Sequence, residues 1–458
     1  MLNMLEDTII AVSTPMGVSG LGVVRISGQR ALPIAKEIFQ SKNKRKKIPS
    51  RRPVLGYLFD TSTGERFEEA YLTFFPGPHT YTRENMVEFS CHGSPVILEE
   101  VVRLGIKAGA RHADPGEFTL RAYLNGRIDI IQAEAIHDLI TAASLQQAKI
   151  SFLQLDGSLS KTTTLLRQNI IQLISQIEAA IEFPDEDITL PPNTIAKTLQ
   201  RAEDTVNKLI SSYDLGKILS EGLMLAIAGK ANVGKSTLFN ALLSKDRAIV
   251  TPFPGTTRDY LQETVKIENV LFTLTDMAGI DTPAHPIEKE GIKRSKKLAS
   301  SGDGILLILD ASRKESKKDL QLLKKFKDKK TVLLFNKCDL PMKMDVEKIQ
   351  STHKNCPSLL ISALKGTNLP QLKNLILKEF VPHQPGNREV ILRLRQKLLF
   401  EDILSCLTKT KDMLEEGYPE EIYVEEIRKI IPLIGQLTGE IHDEDILKRI
   451  FSRFCVGK

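Results

Sequence analysis

The chain has 458 residues, of which 41% are hydrophobic and 26% charged, and a net charge of +6; at roughly 150 residues per domain this is about three domains. That composition excludes disorder, collagen and simple fibres; no apolar stretch approaches the ~20 residues of a membrane helix, and Glu6 and Asp7 stand where a secretory or transit peptide carries basic residues. Five scattered cysteines without a CxxC pair exclude a disulfide framework and a zinc ribbon, so reduced thiols, no membrane and a cytoplasmic location are expected. The mild positive charge favours an anionic partner such as RNA without specifying one, and the absence of Trp argues against a stacking platform for single strands.

Residues 7–30 predict a strand, a glycine-rich turn around Gly17, Gly20 and Gly22, and a second strand ending near Ile26. Short β-type runs at Val54 to Phe59, Ala70 to Phe75 and Met86 to Ser90 make residues 1–120 an α+β region. Within it, Lys42 to Arg52 holds seven basic residues in eleven, which reads either as a solvated loop or as an RNA or phosphate contact. From about Ile128 to Lys217 apolar residues recur at helical spacing, as at Leu166, Ile170, Leu173, Ile174, Ile177 and Ile181, and mark the core faces of long amphipathic helices. Residues 223–380 then alternate apolar strands (Leu223 to Ala228, Ile305 to Asp310, Val332 to Phe335) with helical stretches, the pattern of a parallel α/β sheet. Beyond Gly386 the chain turns helical again through Leu399, Ile403, Cys406 and Leu407. The expected architecture is a multidomain α/β protein. An N-terminal α+β domain (1–120) precedes an all-α domain in two parts (121–218 and 381–458), with an α/β domain (219–380) inserted between them, since domain termini often lie close together.

Directly after the strand Leu223 to Ala228 comes GKANVGKS, Gly229 to Ser236, a phosphate-binding GxxxxGK[ST] loop in the strand-to-helix setting that it requires. Gly229 and Gly234 let the backbone N–H groups approach the phosphates, Lys235 supplies a point charge to the β and γ phosphates, and the Ser236 hydroxyl can ligate Mg²⁺, with Asn232, Val233 and Thr237 expected among the GTP-binding positions of the same turn. DMAG stands downstream: Asp276 ends an apolar run and can hold Mg²⁺ through water, Met277 and Ala278 follow, and Gly279 can present its N–H to the γ-phosphate. Between the two lies a switch segment, Thr251, Pro252, Phe253, Pro254, Gly255, Thr256 and Thr257, in which Thr257 suits Mg²⁺ and the γ-phosphate. In NKCD, the Asp339 carboxylate can accept both N1–H and the 2-amino group of guanine, which adenine does not offer; the nucleotide is therefore GTP. Asn336 and Lys337 are expected to brace the base, and Ser362 and Ala363 of SALK to form the last base-contacting loop. Ile280 occupies the place of the water-orienting Gln of Ras-type enzymes, so hydrolysis must be organised differently. Arg258 is either an arginine finger or a salt-bridge partner on the switch. Asn232 has an amide that either ligates a monovalent cation or stabilises its loop.

Over nearly its whole length the chain resembles the tRNA modification GTPase family called MnmE or TrmE. The resemblance is carried by VRISG, FPGPHTYT, PGEFTLRAYLNGRIDIIQAEAIHDLI (115–140), FPDEDI (183–188), the GTPase motifs and the terminal FCVGK. It implies potassium as a stand-in for an arginine finger, with ligands on Asn232, Thr251, Phe253 and Thr256, and a catalytic carboxylate on Glu288 that aligns the attacking water. It further implies a tetrahydrofolate one-carbon donor bound in the N-terminal domain by Arg25, Glu88, Arg127 and Lys458, and a homodimer joined through that domain. Its partner would be a MnmG (GidA)-like flavoprotein carrying FAD and using NADH, acting on the wobble uridine of tRNA. Arg25, Glu88 and Arg127 read equally as surface ion pairs, His92 as a satisfied loop histidine, and Cys455 as either a thiol acting on uridine or a small buried apolar residue. Two departures stand out: Met277 replaces the Thr of DTAG, and Arg83 and Asn85 replace the Gly and Asp of TGED. A ribosome-assembly GTPase binding rRNA would carry a GxxG RNA module or a second GTPase domain, neither of which the sequence has; a folate-binding regulatory GTPase with no tRNA product is a further alternative.

Overall fold

The computed structural model describes residues 7–43, 47–183, 191–246, 262–268, 270–276, 302–382, 390–441, 444–452 and 454–457. Their contacts divide the chain into two compact units, one of residues 1–137, 154–191 and 413–458, the other of residues 138–153 and 192–412.

In the first unit seven strands, β1 (Ile9–Val12), β2 (Ser19–Ser27), β3 (Phe39–Ser41), β4 (Val54–Phe59), β5 (Arg66–Phe75), β6 (Met86–Gly93) and β7 (Arg111–His112), form one sheet in the order β3-β4-β5-β6-β2-β1-β7. All pairs are antiparallel except β1 with β7. Alternate residues of β4 and β5 are buried, as expected of a sheet with one covered face. Two helices, Ala31–Ile38 and Pro95–Lys107, cover it with Ile34, Ile38, Leu98 and Val101 in the core. The turn into β2 is shorter than expected. Gly20 and Gly22 lie within the strand, and a Cβ on Gly22 would come within 2.7 Å of Leu98, so close helix packing rather than a turn explains that glycine.

Arg121 is the largest fully buried side chain, 1% exposed. It pairs with Asp7, with Glu117 at 2.9 Å and with Glu84 at 3.1 Å. Glu117 also binds Arg111 at 2.5 Å and accepts the Asp114 N–H at 2.8 Å. Burial works to raise the Asp7 and Glu117 carboxyl pKa values, but the guanidinium hydrogen bonds outweigh it and hold both below the ordinary carboxylate value. Further along, Asp129 and Gln132 cap the helix Ile130–Ile140 reciprocally at 2.7 and 3.0 Å. The long helix Ser158–Glu182 buries Leu166, Ile170, Leu173, Ile174 and Ile177 and packs against helices Glu420–Arg428 and Ile430–Thr438.

In the second unit β8 (Leu223–Ala228), β9 (Gln262–Ile267), β10 (Val270–Asp276), β11 (Gly304–Asp310), β12 (Thr331–Asn336) and β13 (Ser358–Leu360) form a sheet in the order β13-β12-β11-β8-β10-β9. Only the β9–β10 pair is antiparallel. β11 and β12 are buried at every position, the mark of a sheet covered on both faces. The order reverses at β8, so a crevice opens beyond its carboxyl end, where such sheets bind ligands. Leu215 and Leu219 of the helix Pro192–Glu221, with Val390 and Leu392 just before the helix Leu394–Glu415, belong to the same core as this sheet, and for that reason these segments group with it.

Replacing Arg121 by Ala leaves Glu84 without its cation and Glu117 and Asp7 with Arg111 alone, and is expected to cost about 3–5 kcal/mol, read as accelerated amide exchange across β1. Because the folded-state pKa values of Asp7 and Glu117 are depressed, their stabilisation is full at neutral pH and is lost as pH falls through those depressed values. The protection of the β1 amides, measured against the intrinsic exchange rate at each pH, should therefore fall on acidification in the wild type and much less in the variant.

Candidate functional site

β8 ends at Ala228 and the helix Lys235–Asp246 starts at Lys235, so residues 229–234 form the turn between them. Two of its glycines leave no room for a side chain. A Cβ on Gly229 (φ +152) would lie 2.5 Å from the Ile308 carbonyl oxygen, and one on Gly234 (φ +100) 2.2 Å from Asn336 Nδ2. Asn232 takes a left-handed conformation, φ 63, which Asn tolerates. Lys235 is 5% exposed, and its ammonium donates to the carbonyls of Gly229 at 2.9 Å and Lys230 at 2.6 Å.

Asn336 is 3% exposed; its Nδ2 donates to the Val233 carbonyl at 2.8 Å and its Oδ1 accepts the Ala363 N–H at 2.9 Å. Lys337 donates to the Asn232 carbonyl at 2.9 Å and to Asp310 at 2.6 Å. Both residues, expected to brace the base, tie the phosphate loop to its surroundings, Asn336 to the SALK loop and Lys337 to the end of β11. Asp310, which the sequence reading passed over, also accepts the Ser312 hydroxyl at 2.6 Å. Burial opposes ionisation there, but the hydrogen bonds from Lys337 and Ser312 prevail and hold the carboxyl below its ordinary value. A lone Asp closing the apolar run GILLILD, at a carboxyl strand end, was the available signal. Lys230 points elsewhere, to Ser316 at 2.7 Å and Asp319 at 3.3 Å, the pair that caps helix Lys317–Lys325.

These groups surround a 570 Å³ cavity lined by Asn232, Gly234, Lys235, Ser236, Thr237, Asn336, Lys337, Asp339 and Ser362, within the size range of nucleotide-sized sites. At one end a hydrogen bond from Ser362, aided by the Lys365 and Lys337 charges, keeps the Asp339 carboxyl below its ordinary value, an acceptor for the guanine edge. Leu340, next after NKCD, and Leu364, within SALK, add apolar walls. Thr251, Pro252, Phe253, Pro254, Gly255, Thr256, Thr257, Arg258, Met277, Ala278, Gly279, Ile280 and Glu288 lie outside the described residues, as does the side chain of Asp276, whose backbone closes β10.

A second cavity, of 530 Å³, lies in the first unit between Tyr81, Phe75, Met86, Glu88 and Arg127. The β2–β6 register sets Arg25 directly across from Glu88, and the two pair at 2.8 Å. Arg25 and Arg127 both stack on the Tyr81 ring, at 5.7 and 4.9 Å, and Arg127 donates to the Tyr81 carbonyl at 2.9 Å. Burial pushes the Tyr81 phenol pKa up. The structure thus gathers Arg25, Glu88 and Arg127 around one ring that the sequence reading did not single out, although FPGPHTYT contained it. A Cβ on Gly457 (φ +94) would lie 2.0 Å from the Val12 carbonyl oxygen, and the Gly457 carbonyl accepts from Ser13 Oγ at 3.1 Å and from Arg25 at 3.5 Å. Lys458 lies outside the described residues. Cys455 is exposed, so the buried apolar role does not hold. His92 sits on β6 rather than in a loop, paired with Glu68 at 2.7 Å. At the two departures, Arg83 has φ 62, a conformation suited to the family's Gly, and Asn85 Oδ1 accepts the Gly77 N–H at 3.0 Å, a bond that an Asp would also make.

A phosphate loop leaving the central strand of a sheet of this order, with Asp339 on the wall of the same cavity, defines a P-loop GTPase domain of Ras-like topology. Models of two families match the chain: the GTP-binding protein TrmE N-terminus over residues 8–127 and the MnmE helical domain over residues 130–455. The tRNA modification GTPase MnmE of Aquifex aeolicus is 39% identical over 456 residues, 99% of this chain and 100% of that protein; that of Alkaliphilus metalliredigens is 38% identical over 459 residues, again 99% and 100%. Among solved structures, the G domain of the T. maritima FeoB iron transporter matches 34% of this chain and 98% of its own at 25% identity, with a TM-score of 0.27. The chain belongs to the tRNA modification GTPase MnmE family, whose enzymatic class is the GTP hydrolases acting in tRNA modification.

Removing the Asn336 side chain leaves two buried backbone groups without partners, at about 1–3 kcal/mol. Asn336→Ala should weaken GDP binding roughly 5- to 100-fold in a titration with a fluorescent guanine nucleotide, while Lys230→Ala, which loses only the cap contact, should change it little.

Proposed function

We propose that this chain hydrolyses GTP and, with a MnmG (GidA)-like flavoprotein, installs a carboxymethylaminomethyl or aminomethyl group at C5 of the wobble uridine of certain tRNAs. The observation that carries this reading is the presence of both cavities in one chain whose likeness to tRNA modification GTPases runs over 99% of its length. The carbon comes from a tetrahydrofolate derivative, 5,10-methylene or formyl, while FAD and NADH belong to the partner. The residues around the second cavity fit such a ligand: Tyr81, Phe75 and Met86 offer faces to a pterin, and Arg25, Glu88 and Arg127 offer hydrogen bonds.

In the GTPase site the close approach at Gly229 and Gly234 fits a loop that wraps phosphates. Lys235 supplies positive charge to the β and γ phosphates, Asp339 selects guanine, Ser236 and Thr257 are the magnesium ligands, and Thr257 also serves as the switch. Asn232, with Thr251, Phe253 and Thr256, holds potassium, which supplies charge compensation that an arginine finger provides elsewhere at a gain of ~10³ to 10⁵ in rate. Glu288 positions the attacking water. Hydrolysis drives an opening and closing cycle of the G domains that gates the modification chemistry, in a homodimer joined through the N-terminal domains. The domain boundaries at 120/121, 218/219 and 380/381 and a cytoplasmic location belong to the same proposal; none of the described helices is long and apolar enough to cross a membrane.

GTP turnover measured in KCl and in NaCl at matched ionic strength tests the hydrolytic mechanism. Large stimulation by potassium, weakened in Asn232→Ala, and turnover lost in Glu288→Ala are expected. Equal rates in the two salts would leave Asn232 a loop-stabilising residue and require activation from outside the chain.

A further inference from the structure

The cavity beside Tyr81 carries a charge imbalance that a pterin ring does not use. Arg51, Arg83 and Arg127 line it together with His79, and its carboxylate, Glu88, is already paired with Arg25 at 2.8 Å. Each of the three guanidinium groups is held by a backbone carbonyl instead: Arg51 by that of His79, Arg83 by that of Asn125 at 2.8 Å, and Arg127 by that of Tyr81 at 2.9 Å. Among the described residues no carboxylate pairs with any of them, and all three are exposed.

Arg51 and Arg83 also stand in left-handed backbone conformations, φ 57 and 62, which long side chains seldom adopt and which gather at functional positions. The Arg51 position is fixed: its N–H donates to the Phe74 carbonyl at 2.7 Å, and Ser50 bridges to Phe74, next to Phe75 of the cavity wall. At position 83 the family pattern has Gly, so this chain adds a cation at a site whose backbone suits none. Lys47 and Arg52, both exposed, continue the positive charge along the segment that carries Arg51.

We propose that Arg51, Arg83 and Arg127 form a rim that binds the poly-γ-glutamate tail of a folate, so that the one-carbon donor this chain takes is a polyglutamylated tetrahydrofolate in preference to the monoglutamate. This rests on the folate reading above and adds the ligand class to it. Each γ-linked glutamate adds one carboxylate, and a guanidinium fork matches a carboxylate bidentately. Because the rim is exposed, each contact is weak and screened by salt, and the preference comes from several contacts acting together.

The test is calorimetric titration of the full chain with the monoglutamate and triglutamate of 5-formyltetrahydrofolate, at low and at high ionic strength. The triglutamate should bind about tenfold tighter at low ionic strength, with the advantage shrinking as salt rises. In the double variant Arg51→Asn/Arg83→Gly the ratio of the two affinities should fall toward one. Both replacements tolerate a left-handed backbone, so the variant should melt no lower than the wild type. Equal affinities in the wild type would overturn the proposal and leave the folate reading standing. Binding of neither form would remove both. An unchanged ratio in the variant, with a loss of tRNA affinity, would reassign the rim to RNA.

Discussion

One buried amide holds the nucleotide site together. Asn336 reaches in one direction to the Val233 carbonyl of the phosphate loop and in the other to the Ala363 N–H of the loop beside Asp339. A nucleotide spans these two loops, so its base and its phosphates are read at once only if the distance between the loops is fixed. The amide fixes it with a side chain 3% exposed, where a hydrogen bond is not exchanged with water. The other constraints follow from this one. Gly234 must lack a side chain because Asn336 occupies that space; Lys337, next in sequence, turns left-handed and fastens the same loop to Asp310; and Asp339 is set beside Ser362.

The N-terminal unit uses a buried ion network for a comparable purpose. Arg121 binds Glu84 at 3.1 Å, and Glu84 accepts the Ser27 hydroxyl at 2.6 Å while its carbonyl accepts the Thr80 hydroxyl at 2.6 Å. The loop that carries Tyr81 and Arg83 is thereby anchored to the interior through one carboxylate. Burying such charges costs desolvation, and the pairing offsets it only when every member is satisfied. Arg121 meets that condition with three carboxylates and the Asp7 carbonyl. A rigid wall is the result, against which Arg25 and Arg127 can flank one aromatic ring.

Much of this was legible in the sequence, for physical reasons that differ from residue to residue. The strands Val54–Phe59 and Leu223–Ala228 were readable to the residue because their apolar runs end abruptly in turn or loop residues. The phosphate loop and Asp339 were readable because the spacing of their motifs reflects local geometry. Asp310 and Tyr81 were not, since each acts through partners far away in sequence, Lys337 for the first and Arg25 and Arg127 for the second. Gly22 was misread as a turn residue because a glycine that admits a neighbouring helix looks the same in sequence as one that bends the chain. Arg25 and Glu88 were each legible only as a charge; the strand register that sets them opposite one another is a property of the sheet.

A guanine-nucleotide site joined to modification of tRNA is tested most directly by the nucleoside composition of tRNA from cells lacking the gene. Loss of the C5-substituted wobble uridines, restored by the wild-type chain and not by Lys235→Ala, is the predicted result. Unchanged wobble nucleosides in the deleted strain would contradict it and leave the GTPase without the substrate assigned to it here.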